Sequence, residues 1–120
     1  MAAAKIAILG AGLAGISAAR ALIARGHAVT IFDKGRGPGG RLATRRMEAA
    51  GRKLQFDHGA QYLRAEGAGF AAALVEAKAA PWPDATRRVG MPSMSAVPRA
   101  LLGEIPCVAS RHVGQITGRA

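Results

Sequence analysis

The sequence predicts an α/β fold built on a β-α-β unit. Three observations lead there. A short apolar run, Ile6-Ala7-Ile8-Leu9, stops at Gly10. An amphipathic stretch follows over roughly Leu13 to Arg25, and then comes Ala28-Val29-Thr30-Ile31-Phe32, a β-branched run that closes on an acid, Asp33.

Ile6–Leu9 lacks polar alternation and reads as a parallel strand buried on both faces. In the helix, Ile16, Ala19 and Ile23 fall at helical spacing, and Ala18 and Leu22 widen the same face. Arg25 suits the negative end of the helix dipole, and Gly26 is a natural stop. Ala28–Phe32 reads as the second strand, and the short crossover makes the unit right-handed.

From Lys34 to Gly40, five of seven residues are Gly or Pro, which makes this stretch a loop. A hairpin is expected next, from Ala43–Glu48 and Lys53–Phe56, turning at Ala49-Ala50-Gly51. Gly67 to Ala80 reads as a helix with Phe70, Leu74 and Ala77 on one face, ended by Pro81 and Pro83. Thr86–Val89 reads as a strand, Ser95–Leu102 as a short helix that Ser93 and Ser95 help to start, and Cys107–Ile116 as one or two strands. Trp82, between two prolines, is expected to pack as an anchor. There is no internal repeat and no linker within the chain.

The chain has 120 residues, half of them apolar, which is a single-domain length with enough material for a core. No apolar run approaches the ~18 residues of a membrane span. The apolar start is interrupted by the motif glycines and Arg20, and no cleavage site follows, so it does not read as a signal peptide. The single Cys107 excludes a disulfide framework and a Cys-ligated metal site, suits a core position, and places the expected setting in the reducing cytoplasm. The net charge is +10, from seventeen Lys and Arg against seven acids. With aromatics at 4% there is no stacking platform for nucleic-acid bases. The excess is either a solvated surface or a field that draws an anionic dinucleotide.

Gly10-Ala11-Gly12-Leu13-Ala14-Gly15 sits between the first strand and the helix. In this Gly-x-Gly-x-x-Gly pattern Gly10 permits a tight turn, Gly12 lets the backbone approach a pyrophosphate, and Gly15 lets helix and strand pack. The pyrophosphate then meets the free N–H groups at Leu13 and Ala14. Ser17 either adds a hydroxyl contact or is an ordinary helix residue. Asp33, at the end of the second strand, is placed for the two ribose hydroxyls of an adenosine and opposes a 2′-phosphate. Lys34, Arg36 and Arg41 keep a phosphorylated dinucleotide open. Strand, turn, helix and acid together give a Rossmann-like core.

Gly39-Gly40-Arg41 shifts the reading from NAD to FAD. A simple dehydrogenase has no need of this cluster, whereas FAD stretches across that edge and Arg41 offers a fork of donors to phosphate.

These residues resemble the N-terminal signature of the flavin amine oxidase superfamily. Within it, Phe56-Asp57-His58-Gly59-Ala60-Gln61-Tyr62 and Val89-Gly90-Met91-Pro92-Ser93-Met94-Ser95 resemble segments of the renalase-like branch. The resemblance implies a Rossmann-like FAD domain, with further short strands and helices, interleaved with a substrate domain. It implies that Gly39, Gly40 and Arg41, beside Lys34, line the FAD phosphates and ribityl chain. Gly59, Ala60 and Gln61 would approach the isoalloxazine ring, and Val113 would lie where backbone groups bind adenine. It further implies an FAD-dependent oxidoreductase that passes hydride to flavin with oxygen as acceptor. The implied substrates are isomeric reduced nicotinamide dinucleotides, NAD(P)H among them as substrate class, or amines.

The resemblance also implies chain that is not matched here: a later FAD-contacting segment and most of the substrate pocket. Residues 1–120 are therefore expected to be a truncated FAD-binding domain, incomplete relative to the family, with the substrate domain largely absent. The sheet edge left open would favour a homo-oligomer. No catalytic constellation is legible. His27, His58 and His112 lack paired carboxylates or metal spacing, and no metal is expected. The competing readings are an NAD(P)-binding dehydrogenase domain and a non-catalytic dinucleotide-binding module; the expected partner is a small-molecule substrate, with no nucleic acid and no membrane span.

Overall fold

Strand β1 (Lys5–Leu9), helix α1 (Leu13–Ala24) and strand β2 (Ala28–Phe32) form the expected β-α-β unit. The computed structural model of the chain describes residues 2–119. β1 and β2 run parallel from Lys5 opposite Ala28 to Leu9 opposite Phe32. Strand β8 (Cys107–Val108) adds to the other side of β2, also parallel, giving the order β1-β2-β8. The chain is thus a mixed α/β fold on a parallel sheet.

The core lies where α1 meets the sheet and the two later helices. Ile16 and Ala19 from α1, Val29 and Ile31 from β2, and Leu74, Val97 and Leu101 are buried together, with Ile6, Ile8, Leu13 and Leu22 packed against them. Burying an aliphatic side chain of this kind contributes about 1.5–3 kcal/mol. The buried stripe of α1 is narrower than its sequence suggests. Ala18 and Ile23 face outward, Ile23 with 41% of its surface exposed, because the covering elements follow the Leu13-Ile16-Ala19-Leu22 line. β1 is likewise not buried on both faces. It is an edge strand of the sheet among the described residues, and Lys5, Ala7 and Leu9 are exposed.

Beyond β2 a glycine-rich loop enters a single 3-10 turn at Gly40–Leu42. The hairpin follows as expected, with β3 (Thr44–Ala49) and β4 (Arg52–Asp57) antiparallel through a turn at Ala50-Gly51. A small antiparallel sheet holds β5 (Leu63–Arg64), β7 (Arg87–Val89) and β6 (Ala80–Pro81), in the order β5-β7-β6. Helix α2 (Ala68–Glu76) buries Leu74 with Ala77 just beyond it, and α3 (Ala96–Leu102) buries Val97 and Leu101. Arg20 ties the three helices together, its guanidinium donating to the Leu101 carbonyl at 3.0 Å and to Glu76 at 2.6 Å.

The helix ends correct one expectation. α2 stops at Glu76, well before Pro81. Lys78 adopts a left-handed φ of 55°, its N–H donates to the Val75 carbonyl, and the Ala79 N–H donates to the Leu74 carbonyl. That is a Schellman ending, and Ala80 is freed to join a strand. α1 ends the same way: the Gly26 N–H donates to Ile23 and the His27 N–H to Leu22. There, glycine announced the stop. Two further expectations fail. Only Cys107–Val108 of the Cys107–Ile116 stretch is strand, because the following residues pair with the loop after β2 and not with a strand. Trp82 is 56% exposed and anchors nothing; its backbone, not its ring, is engaged, through a hydrogen bond to the Arg87 carbonyl.

Candidate functional site

The turn between β1 and α1 is shaped by two contacts. Gly10 has φ of 105° and its N–H donates to the Phe32 carbonyl at 2.8 Å, so the turn continues the β1–β2 ladder. A Cβ at Gly15 would run into the Gly10 carbonyl, so only glycine lets α1 start this close to the strand. Gly12 is the N-cap of α1, with no side-chain cap and no acid in the first turn. The N–H groups that open the helix, Leu13 and Ala14 among them, are therefore left to a ligand, at the positive end of the dipole.

The loop after β2 is latched onto this turn. The Gly39 N–H donates to the Ala11 carbonyl at 2.9 Å, and a Cβ on Gly40 would stand 3.5 Å from the Gly12 Cα. The next latch is between Arg41 and the segment after β4: the Ala60 N–H donates to the Arg41 carbonyl at 2.8 Å, and Gly59 lies so close that a Cβ there would meet the same carbonyl. These three chain segments enclose a groove of about 660 Å³, lined by Gly12, Leu13, Ala14, Gly39, Gly40, Arg41, Gly59 and Ala60, with Leu42 and Leu63 beneath. Eight of the residues expected at the cofactor from sequence are thus brought together. Gly10 and Gly15 shape the turn from behind. Gln61 is exposed beside Ala60 and outside the lining.

Asp33 directly follows β2, with both carboxylate oxygens engaged. Oδ2 accepts from the Ala11 N–H and Oδ1 from the Gly35 N–H, each at 2.6 Å. Each oxygen keeps one further lone-pair direction for a ribose hydroxyl. Behind it, the Asp33 N–H donates to the Val108 carbonyl, and the Arg111 and Ser110 N–H groups donate to the carbonyls of Asp33 and Gly35. This brings the segment after β8 to the Asp33 side of the groove. Val113 follows on it, 39% exposed, and lines none of the cavities described here. Burial pushes the Cys107 thiol up, and the Asp33 charge adds to the effect.

A second, larger cleft of about 810 Å³ opens beyond Asp33 and meets the groove at Gly40. Its walls are the 34–38 loop, the start of β3 and α3, and they carry Lys34, Arg36, Arg45, Arg46 and Arg99. Lys34, expected from sequence beside the phosphates, lies here and not in the groove. Arg46 is held from behind: its guanidinium donates to the hydroxyls of Ser93 and Ser95, at 3.4 and 3.3 Å, and both serines are buried. Ser95 occupies the N-cap position of α3 as the sequence suggests, but its side chain makes no cap bond. The base of the hairpin is clamped to the same segment. Asp57 accepts from the Thr44 hydroxyl at 2.7 Å and from the Met94 N–H at 3.1 Å, and Thr44 accepts from the Ser95 N–H. Sequence reasoning missed Arg45, Arg46, Ser95 and Arg99. The one signal was the dense Thr44-Arg45-Arg46 run after the glycine cluster; nothing marks Arg99. His58 is exposed. Among the described residues no three His, Cys, Asp or Glu side chains cluster as metal ligands, and no helix is long and apolar enough to cross a membrane.

Comparison with known proteins places this geometry. The family model of the NAD(P)-binding Rossmann-like domain matches residues 8–75. A protein of Oryza sativa subsp. indica called lysine-specific histone demethylase 1 homolog 3 is 41% identical over 58 residues, which is 48% of this chain and 7% of that protein. A 4,4'-diapophytoene desaturase (4,4'-diaponeurosporene-forming) of Staphylococcus aureus is 50% identical over 38 residues, 32% of this chain and 8% of that one. The chain therefore matches under a tenth of the length of these curated relatives. Among solved structures, a double mutant of putrescine oxidase, made in a structure-based redesign of cofactor binding, aligns with a TM-score of 0.48 and 28% identity over 65% of this chain and 17% of that one.

Proposed function

The chain belongs to the family of NAD(P)-binding Rossmann-like domains, and on that premise we propose that residues 1–120 form an FAD-binding domain, the nucleotide-binding portion of a flavin-dependent oxidoreductase. The observation that carries this reading is the continuity of the groove. It does not end at the start of α1, as a site for a diphosphate alone could, but runs on past Gly39-Gly40-Arg41 to Gly59-Ala60. FAD is the dinucleotide whose ribityl chain and ring need that extension.

The residues fit the group. The free N–H groups at Leu13 and Ala14 would hold the pyrophosphate, Asp33 the adenosine ribose, and Gly39, Gly40 and Arg41 the second phosphate and ribityl chain. The backbone at Gly59 and Ala60, with Gln61 at its exposed end, would approach the ring. Val113, two residues beyond the Arg111 N–H that bonds to Asp33, would meet the adenine. When bound, the flavin supplies the hydride-accepting chemistry; the chain's own residues bind and orient it, and none of them is assigned a catalytic role.

The finer reading is a renalase-like oxidoreductase that takes isomeric reduced nicotinamide dinucleotides or amines as substrate and oxygen as acceptor, at work in the cytoplasm. It is supported by the Phe56–Tyr62 and Val89–Ser95 resemblance, and Asp57 and Met94 of these two segments do meet in space. A relative named a desaturase agrees with redox chemistry on this core. The test is a titration of the purified chain with FAD, followed by quenching of flavin fluorescence. Saturable quenching that Arg41→Ala weakens by about tenfold, the effect of losing one charge-assisted hydrogen bond, is the expected result. Binding of NAD+ with no flavin uptake would sink it in favour of a dehydrogenase domain.

A further inference from the structure

The far end of the groove is carried by a short piece of chain. Strand β4 ends at Asp57, and Gly59 and Ala60, which line the groove, follow directly. The chain from Asp57 to Ala60 can reach about 10 Å at most, so whatever holds Asp57 also limits where Gly59 and Ala60 stand. In front, they are held by the bond from the Ala60 N–H to the Arg41 carbonyl. Behind, they are held by Asp57.

Asp57 gathers its partners on one oxygen. Its Oδ1 accepts from the Thr44 hydroxyl at 2.7 Å and from the Met94 N–H at 3.1 Å, and the Thr44 hydroxyl accepts in turn from the Ser95 N–H at 3.2 Å. Bonds to a carboxylate are stronger than those between neutral groups. Thr44 and Asp57 face each other in the β3–β4 register, so both strands are joined to one place. That place is rigid. Ser93, Met94 and Ser95 are buried, the Met94 sulfur accepts from the Gly90 N–H at 3.2 Å, and a Cβ on Gly90 would run into the Ser93 carbonyl. The hairpin needs such a support. Every residue of β4 is exposed, and a two-stranded hairpin is marginal by itself in water. Arg46 and Gln55 tie it to the same segment farther along, at Ser93, Ser95 and the Pro92 carbonyl. Of these ties, the one at Asp57 stands next to the residues that line the groove.

We propose that Asp57 is a positioning residue for the far end of the groove. It does not line the groove itself. Through Met94 and Thr44 it fixes where Gly59 and Ala60 stand against Arg41, and so how a flavin ring is seated there. The last step rests on the reading that the groove holds FAD.

The test compares Asp57→Ala, Asp57→Asn, Thr44→Val and Gln55→Ala in the full chain. Hydrogen exchange at the Ala60 amide, with no ligand added, reads the bond to Arg41. It should quicken by about tenfold in Asp57→Ala. Asp57→Asn keeps an oxygen acceptor and should recover part of the protection. Thr44→Val removes the hydroxyl alone and should quicken exchange by a smaller factor; it carries the test if Asp57→Ala does not fold. Gln55→Ala should leave Ala60 unchanged. With FAD added, Asp57→Ala should weaken binding by about tenfold and alter the visible circular dichroism of the bound flavin, while the amide shifts that FAD causes at Leu13 and Ala14 persist. Unchanged Ala60 exchange in both Asp57→Ala and Thr44→Val overturns the proposal. An equal effect from Gln55→Ala also overturns it, since docking of the whole hairpin would then be the cause. So does loss of the Leu13 and Ala14 shifts, the mark of a general loosening. If the unaltered chain takes up no flavin, the reading of the groove fails, and Ala60 exchange alone decides whether Asp57 sets this segment.

Discussion

The groove and the cleft meet at Gly40 and are built on opposite principles. The groove is made of backbone: Gly12 against Gly40, and Gly59 against Arg41, with carbonyls and N–H groups latched to one another. The cleft is made of long side chains, five cations converging from a loop, a strand and a helix. The difference decides how each responds to change. A backbone surface has no room for an added atom where it is latched, as at Gly59, but its hydrogen bonds are screened less by salt than exposed charges are. A surface of guanidinium groups tolerates single losses, but its attraction is screened.

The largest effect that would break the comparison is expected at Gly15→Ala. The added methyl meets the Gly10 carbonyl, so α1 must shift away from β1. Overpacking of a rigid turn costs about 1–3 kcal/mol, and denaturant unfolding should show it as a lowered midpoint. Flavin binding should fall with it.

Gly59→Ala is a sharper probe because it lies outside the α1–β1 core. Its methyl would press on Arg41, the carbonyl carbon of which stands 2.9 Å from the added atom. The expected outcome is a loss of about tenfold or more in FAD affinity, measured by fluorescence titration, with a smaller fall in the unfolding midpoint than Gly15→Ala gives. A midpoint lowered as far as in Gly15→Ala would show that this latch is part of the core.

Salt should separate them next. Raising ionic strength from about 0.01 to 0.15 M shortens the screening length from about 30 to 8 Å. Any association of inorganic phosphate, as a probe, with the exposed cations of the cleft should therefore weaken by a larger factor than the binding of FAD to the groove. Calorimetric titration at two salt concentrations checks the order.

The smallest effect concerns Cys107, which lies in the strand beside β2 and pairs with Ile31. Burial first, and the Asp33 charge second, hold its thiol above the ordinary value. The folded state then favours the protonated form. That contribution to stability is fully present below the unfolded thiol's pKa and is lost as pH rises through the folded one. Alkylation of Cys107 by iodoacetamide should accordingly rise with pH later than that of the unfolded chain. A coincident profile would contradict it.

The same contrast explains what was legible in the sequence. Glycine is forced by geometry at Gly10, Gly39 and Gly40 through a positive φ and at Gly15 through close approach, so their spacing could be read before the fold was seen. β1, α1 and β2 fell within a residue or so of their expected bounds because strand pattern, helical spacing and Gly26 agreed there. α2 was read too long because its stop is Lys78 at positive φ, where the sequence offers no glycine and the nearest visible breaker was Pro81. Trp82 was read as buried from its residue type, and type does not determine burial at the edge of a small sheet. The cleft was illegible for a related reason. Arg46 and Arg99 are far apart in sequence, and ordinary surface arginines look the same until β3 and α3 are set side by side.

The latch between Gly39 and Ala11 has a consequence in time as well as in space. With that bond and the one from Ala60 to Arg41 already made by the chain itself, no loop has to be ordered when a dinucleotide arrives. Encounter then needs only collision and orientation. A protein of charge +10 meeting an anion should associate quickly, with a rate constant that falls as salt is added. Changes to the backbone of the groove should leave that rate nearly untouched and appear as faster departure.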